Sequence, residues 1–263
     1  MDDLPKGLEL SGALEITRTL GTLDGGRVLD VGTGDGEFIA TLAEFLGSYS
    51  SFTGVDLNVE KLEKGKESLE ELEVELLEMD GGNLAFDAGT FDTVCISNSL
   101  HHLERAVDVV AEMFRVLRQG GTFILQEMFS DGKQTSAQMT DIQTHHWAGR
   151  VDTLLGTYHR WTLTREEIGS VLEPLDLQDV KVFETTRNIK CLTCEDRFKC
   201  EDPLDPEIVT TEVKEIMDDL KRLEVFPDRK QADILSEEGG ALMDRVKDTG
   251  VSPASTMFVM GRK

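Results

Sequence analysis

The sequence predicts an α/β fold, a mostly parallel sheet with helices on both faces. Three observations carry this reading. The stretch Val28-Leu29-Asp30-Val31-Gly32-Thr33-Gly34-Asp35-Gly36 is a short apolar run holding an acid, followed by glycines at alternate positions. Phe38, Ile39, Leu42, Ala43, Phe45 and Leu46 then recur at helical spacing, so the unit reads strand, tight loop, helix. Further short apolar runs at 51–57, 74–79 and 91–97 alternate with helix-patterned stretches, as parallel strands with crossover helices require.

The glycine loop suits a ligand. Its glycines permit a sharp turn and leave room against the backbone. The helix that follows offers N–H groups and a positive dipole end. A dinucleotide fingerprint would read Gly-x-Gly-x-x-Gly, and a phosphate loop would end in Gly-Lys-Ser/Thr. This loop reads Gly-x-Gly-x-Gly. Asp30 suits a ligand amino or ammonium group and is a poor neighbour for a pyrophosphate.

Composition narrows the class. With 263 residues, 39% of them hydrophobic, the chain holds one large domain or one domain with an inserted cap. The formal net charge of -24 excludes a nucleic-acid surface, which needs a basic face. A basic protein or a cationic small molecule stays open as a partner. No apolar run reaches a membrane span, and Met1-Asp2-Asp3-Leu4-Pro5-Lys6 lacks a signal-peptide pattern, so the expected location is cytoplasmic.

In chain order, residues 8–20 form a leading helix, lying either over the ligand or against the core. After the strand at 28–31 and the helix at 37–46, the strand at 51–57 ends in Asp56. An acid there accepts from ribose hydroxyls, or else it opens the next helix. Residues 58–72 read as a charged helix with solvated pairs such as Glu60–Lys64. The strand at 74–79 leads into Asp80-Gly81-Gly82-Asn83, a turn sequence. The strand at 91–97 ends in Asn98-Ser99-Leu100-His101-His102-Leu103, at the sheet edge where open α/β folds bind ligands. A helix over 106–117 is stopped by Arg118-Gln119-Gly120-Gly121, and a fifth strand spans 122–129.

Residues 131–160 are too long for a simple connection. They hold His145, His146, Trp147, Tyr158, His159 and Arg160, with Trp161 just beyond. Helical spacing runs from Met139 to Tyr158. The aromatics either cage an acceptor or form the core of a small cap. A histidine–carboxylate metal site using Asp141 or Asp152 is a further option. A helix over 163–172 enters through Thr164 with Glu167 three residues on, a capping box. Strands follow at 177–185 and 257–261. The roughly 70 residues between them carry helical patterns at 206–223 and 230–247.

Of four cysteines, Cys95 falls in a core strand and acts as a small hydrophobe. Cys191, Cys194 and Cys200 form a Cys-x2-Cys-x5-Cys cluster that can bind zinc or an iron–sulfur cluster, given a fourth ligand. A redox pair and incidental thiols are the other two readings.

The glycine loop with Asp30, the acid Asp56, the Asp80 segment and the run Leu117 to Phe129 resemble class I S-adenosylmethionine-dependent methyltransferases, in their small-molecule branch. One departure is Gln119-Gly120, where many members have Pro-Gly. The resemblance covers 1–185 and the last strand. It implies a seven-stranded Rossmann-like sheet, last strand antiparallel, with a helical insertion before that strand. The implied domain is 1–185 plus 251–263, with 131–162 as a substrate-side cap and 186–250 as the cysteine-containing insertion. The cofactor S-adenosylmethionine would be held by Asp30, Gly32, Thr33, Gly34, Gly36, Asp56, Leu57, Asp80, Gly81 and Asn98. Substrate contacts would come from His145, His146, Trp147, His159 and Arg160. His101, His102 and His146 are candidates for catalysis, which in this family rests mainly on proximity and orientation. The expected acceptor is a small molecule. Two other readings are a non-catalytic cofactor-binding protein of the same fold and a nucleotide-dependent oxidoreductase, the latter disfavoured by the loop spacing.

Overall fold

The computed structural model describes residues 6–185 and 202–263, with side chains from residue 12 onward. Among these residues, seven strands form one sheet: β1 (Arg27–Val31), β2 (Ser51–Asp56), β3 (Val74–Glu78), β4 (Phe91–Ser97), β5 (Leu117–Met128), β6 (Gln178–Thr185) and β7 (Thr256–Arg262). Their order is β3-β2-β1-β4-β5-β7-β6. The first five run parallel, and β7 is antiparallel to both β5 and β6.

Both faces of the sheet are buried, and the side-chain period of two sorts the residues between them. Val28, Cys95, Ile124 and Phe258 pack on one face with Ile16 and Leu20 of α1 (Lys6–Leu20) and Ile39 and Leu42 of α2 (Glu37–Phe45). Leu29, Val94, Phe123 and Val259 pack on the other with Val110 and Met113 of α4 (Ala106–Val116) and Ile168 of α6 (Arg165–Leu172). The leading helix is therefore a packing element of the first face. Between β2 and β3, α3 (Val59–Ser68) is capped by Asn58, whose side chain accepts from the Lys61 N–H.

Two boundaries differ from the sequence reading. The fifth strand, expected to begin at 122, begins at Leu117, directly after α4 ends at Val116, because Leu117 is already extended. The glycine pair lies inside β5. There Phe91 pairs with Leu117 but Thr93 pairs with Thr122, so surplus residues bulge out of the ladder with Gly120 at φ +69°. The helix expected to reach residue 72 stops at Ser68. Leu69 folds back onto the glycine loop, filling the place a side chain at Gly36 would take.

The remaining helices build a third core. α5 (Ser136–Leu154), α7 (Pro206–Glu224) and α8 (Arg229–Thr249) enclose Trp147, Val151, Ile216, Leu223, Leu235 and Val246. Each start is encoded locally. Thr135 and Gln138 form a reciprocal capping box, while Asp205 and Asp228 cap the other two. The segment after β5 and the helices between β6 and β7, separate in sequence, thus share one core. Cys191, Cys194 and Cys200 lie outside the described residues. Among those described, no helix is long and apolar enough to cross a membrane.

Candidate functional site

The strand order reverses between β1 and β4, which opens a crevice at the carboxyl ends of the strands. The glycine loop forms one lip and Asn98 the other. A cavity of about 170 Å³ lies between them, lined by Asp30, Gly32, Thr33, Gly34, Lys61, Asn98 and neighbours.

The loop is braced from β2. Gly32 and Thr33 donate their N–H groups to the Val55 carbonyl at 2.8 and 3.0 Å. Gly34 donates to Asp56 Oδ2 at 2.8 Å, and Asn58 donates to Asp56 Oδ1 at 2.8 Å. Asp56 therefore holds the loop's shape. Each of its oxygens keeps a second lone pair for a further donor. Gly32 sits at φ +70°, and Ser99 Oγ would lie 2.8 Å from a Cβ there, so glycine is needed for both conformation and space.

Asp30 is the unusual charge. It is 1% exposed, yet its Oδ2 has no hydrogen-bond partner, and neither does the buried Thr33 Oγ1. The Cys95 thiol donates to Asp30 Oδ1 at 3.4 Å. Burial pushes the Asp30 carboxyl up to about 7. An orphaned acid facing a small polar cavity fits a cationic donor such as an ammonium group. Asn98 takes a left-handed turn at φ 43°, with its Oδ1 accepting from Met128 N–H at 3.2 Å.

Gly36, Asp56, Leu57, Asp80 and Gly81 do not line this cavity. Leu57 is 66% exposed on the outer edge. Asp80 closes its own turn by accepting from Gly82 N–H at 2.8 Å. That turn packs beside β1, since a side chain at Gly81 would meet Val31 at 2.7 Å.

Beyond Asn98 the structure gathers four histidines. A single 3-10 turn, Leu100–His102, supplies His101 and His102, α5 supplies His145, and the segment after α5 supplies His159. Ring centroids are 4.3 Å apart for His101 and His102, 4.2 Å for His102 and His159, and 4.8 Å for His145 and His159. The His101 ring hydrogen-bonds through Nδ1 to Glu127 Oε1 at 2.7 Å. Glu127 also accepts from Leu100 N–H at 2.9 Å and is wholly buried. Burial pushes the Glu127 carboxyl up and the His101 imidazolium down, so neither charge is favoured alone. Burial, with the neighbouring rings of His101 and His159, pushes His145 down to about 2. The imidazoles of His101, His102 and His145 are therefore neutral near pH 7.

His159 also lines a second, larger cavity of about 780 Å³, walled by Leu154, Tyr158, Trp161, Ile234 and Leu235, with His146, Arg150, Arg160 and Gln231 among its polar members. His146 Nε2 is buried there without a partner. The Arg160 guanidinium donates to Glu167 at 2.6 Å, and its backbone N–H donates to the His101 carbonyl at 3.0 Å, which ties this wall to the histidine turn. Trp147 is not part of it. It is 3% exposed and donates through Nε1 to the Leu235 carbonyl at 2.8 Å, as a core residue of the helical unit does.

Two residues of this region, Lys61 and Glu127, escaped sequence reasoning, while the sequence already offers Asp152 as a carboxylate beside the histidines. Lys61 reaches the glycine-loop cavity because α3 begins where β2 ends, which places its first turn at the same sheet edge. Glu127 was signalled by an acid inside an otherwise apolar strand. Asp152, which accepts from His159 Nδ1 at 2.8 Å, lies one helical turn and a loop away from it in sequence, and only the fold joins them.

Comparison with known proteins agrees with this geometry. Residues 28–121 match the family described as a methyltransferase domain. A demethylmenaquinone methyltransferase of Staphylococcus epidermidis is 34% identical over 113 residues, 43% of this chain and 47% of the relative. The same enzyme of Staphylococcus aureus strain MRSA252 is 33% identical over an equal length. The chain thus spans about half the length of the curated relatives it matches. Among solved structures, Haemonchus contortus phosphoethanolamine N-methyltransferase 2, in complex with phosphomonomethylethanolamine and S-adenosylhomocysteine, superposes with a TM-score of 0.53 at 19% identity, covering 96% of this chain and 53% of that one. Geranyl diphosphate methyltransferase in complex with S-adenosylmethionine gives 0.52 at 17%, covering 97% and 86%. The cyclase SpnF gives 0.56 at 17%, covering 96% and 80%. At these identities the likeness is one of fold, and that fold carries more than one chemistry.

Proposed function

We propose that this chain, whose residues 28–121 form a methyltransferase domain of the class I fold, binds S-adenosylmethionine at the glycine loop and transfers its methyl group to a small-molecule acceptor. The observation that carries the reading is Asp30, a buried acid with an unpartnered oxygen aimed into the loop cavity. A pyrophosphate, an anion without donors, gives that oxygen no partner, whereas the amino group of a methionine moiety would.

Asp30 and Thr33 would take the ammonium end, and Lys61 would face the carboxylate. Asp56 would offer its remaining lone pairs to ribose hydroxyls while keeping Gly34 in place. The bound cofactor supplies a methyl group activated on a sulfonium. The chain's task is then positional: hold donor and acceptor in line and exclude water. Asn98, fixed to β5 through Met128, holds the lip between the two ligands. The larger cavity would take the acceptor, an apolar body against Trp161, Ile234 and Leu235 with a polar group reaching His146. His146 would accept a proton if the acceptor loses one on attack.

Incubation with methyl-labelled S-adenosylmethionine and a small-molecule extract tests this reading, with demethylmenaquinone as the first single acceptor. Labelled small molecules and released S-adenosylhomocysteine are expected. Binding without any transfer would make the chain a non-catalytic cofactor-binding protein.

A further inference from the structure

We propose that His101, His145 and His159 form a binding site for a divalent transition-metal ion of the zinc class. The site lies beyond the methyl-transfer reading and does not depend on it. One ring nitrogen from each histidine lies within 4.8 Å of the other two. The Nε2 atoms of His145 and His159 are 3.2 Å apart. Two nitrogens on a tetrahedral zinc, each about 2.0–2.1 Å from the ion, stand about 3.3 Å apart. That pair is already at ligand spacing, and His101 completes the set with a small ring movement.

The surroundings are those of ligating histidines. A metal-bound imidazole characteristically gives its other nitrogen to a carboxylate, which fixes the ring and the tautomer. Two of the three do so here. His101 Nδ1 meets Glu127 Oε1 at 2.7 Å, and His159 Nδ1 meets Asp152 Oδ2 at 2.8 Å. This leaves Nε2 as the ligating nitrogen of each. Both carboxylates are themselves held, Glu127 by Leu100 N–H at 2.9 Å and Asp152 by Arg222 at 2.6 Å. Among the described residues Glu127 has no Lys or Arg partner, so a cation bound beyond its histidine would be the charge that balances the ionised acid.

Three imidazoles select zinc, cobalt, nickel or copper over magnesium or calcium, which prefer oxygen. Three protein ligands leave one tetrahedral position open. Because His159 also lines the large cavity, that position is available to water or to an oxygen, nitrogen or sulfur atom of a molecule bound there.

The test is cobalt(II) titration of the full chain after chelator treatment, read by visible absorption and by zinc competition. Cys191, Cys194 and Cys200 are a rival thiolate site, so the Cys191→Ser/Cys194→Ser/Cys200→Ser variant is titrated alongside. The expected result is one cobalt per chain with visible bands and no thiolate charge-transfer band, unchanged in the cysteine variant. Binding should be lost in His145→Ala/His159→Ala, and weakened about 10–100-fold in Asp152→Asn, which keeps every ligand. Zinc should raise the melting temperature of the wild type and not of the double-histidine variant. No binding by the wild type, binding abolished by the cysteine substitutions, or equal affinity in Asp152→Asn would each overturn the proposal, and the last decides the matter even if the double variant fails to fold.

Discussion

Asp30 and Cys95 sit side by side on neighbouring parallel strands, and the Cys95 thiol donates to Asp30 Oδ1 while Asp30 Oδ2 meets no protein group. A buried carboxylate with one oxygen unpartnered is under-satisfied. Its position at the floor of the glycine loop makes it the first residue to read for ligand binding.

The pH dependence of cofactor affinity follows from Asp30. Its carboxyl titrates at about 7 in the unliganded protein, and the ionised form is the one that attracts an ammonium. Below pH 7 the acid is protonated, so affinity for S-adenosylmethionine should fall by about tenfold per unit. Above pH 7 the Asp30 contribution levels off. Asp30→Asn should bind weakly and lose this slope. Calorimetric titrations from pH 5.5 to 8 check both parts.

Gly32→Ala should damage the loop. It imposes a Cβ at φ +70° and crowds Ser99, a cost of about 1–2 kcal/mol from the backbone alone. Gly240→Ala, inside α8 with nothing within 4 Å of the new methyl, should instead stabilise by up to about 1 kcal/mol. Urea unfolding of the two variants should move in opposite directions, and only Gly32→Ala should weaken ligand binding.

Trp147 holds the helical unit together. Its ring is buried, its Nε1 donates to Leu235, and Gly239 lets α8 approach the ring so closely that any side chain there would clash. Trp147→Ala should cost about 3–5 kcal/mol, measured by chemical denaturation. The glycine-loop cavity is built from other elements, so S-adenosylmethionine binding to the folded variant should survive.

Asp141 gives a stability prediction with a definite sign. It accepts from Ala254 N–H at 2.7 Å, and burial, with Glu212 and Glu215 nearby, pushes its carboxyl up to about 7. The folded state therefore holds this proton more tightly than the unfolded chain. Its effect on stability is absent below pH 4 and grows unfavourable as pH rises from about 4 to 7. Asp141→Asn, which keeps an acceptor for Ala254, should be neutral at pH 4 and more stable than wild type at pH 8, by up to about 4 kcal/mol. Thermal unfolding at the two pH values measures the difference.

Much of this was legible in sequence because it is local. The strand, loop and helix around Gly32 follow from spacing alone, and the cap at Thr164 is read from adjacent residues. The start of β5 was misplaced because the glycine pair that resembles a helix stop is a bulge in that strand, a fact set by pairing with β4. Trp147 looked like a pocket aromatic because its partners, Leu235 and Gly239, lie about ninety residues away on α8. The histidines were noticed as a group. What escaped was the pairing of His101 with Glu127, since no spacing rule joins a strand acid to a turn histidine.

The central claim is that the glycine loop is an S-adenosylmethionine site built around Asp30. Isothermal titration of the full chain with S-adenosylmethionine and, separately, with NAD tests it most directly. The account predicts binding of one S-adenosylmethionine per chain, lost or strongly weakened in Asp30→Asn, and no heat from NAD. Binding of NAD, or S-adenosylmethionine binding indifferent to Asp30→Asn, would contradict it.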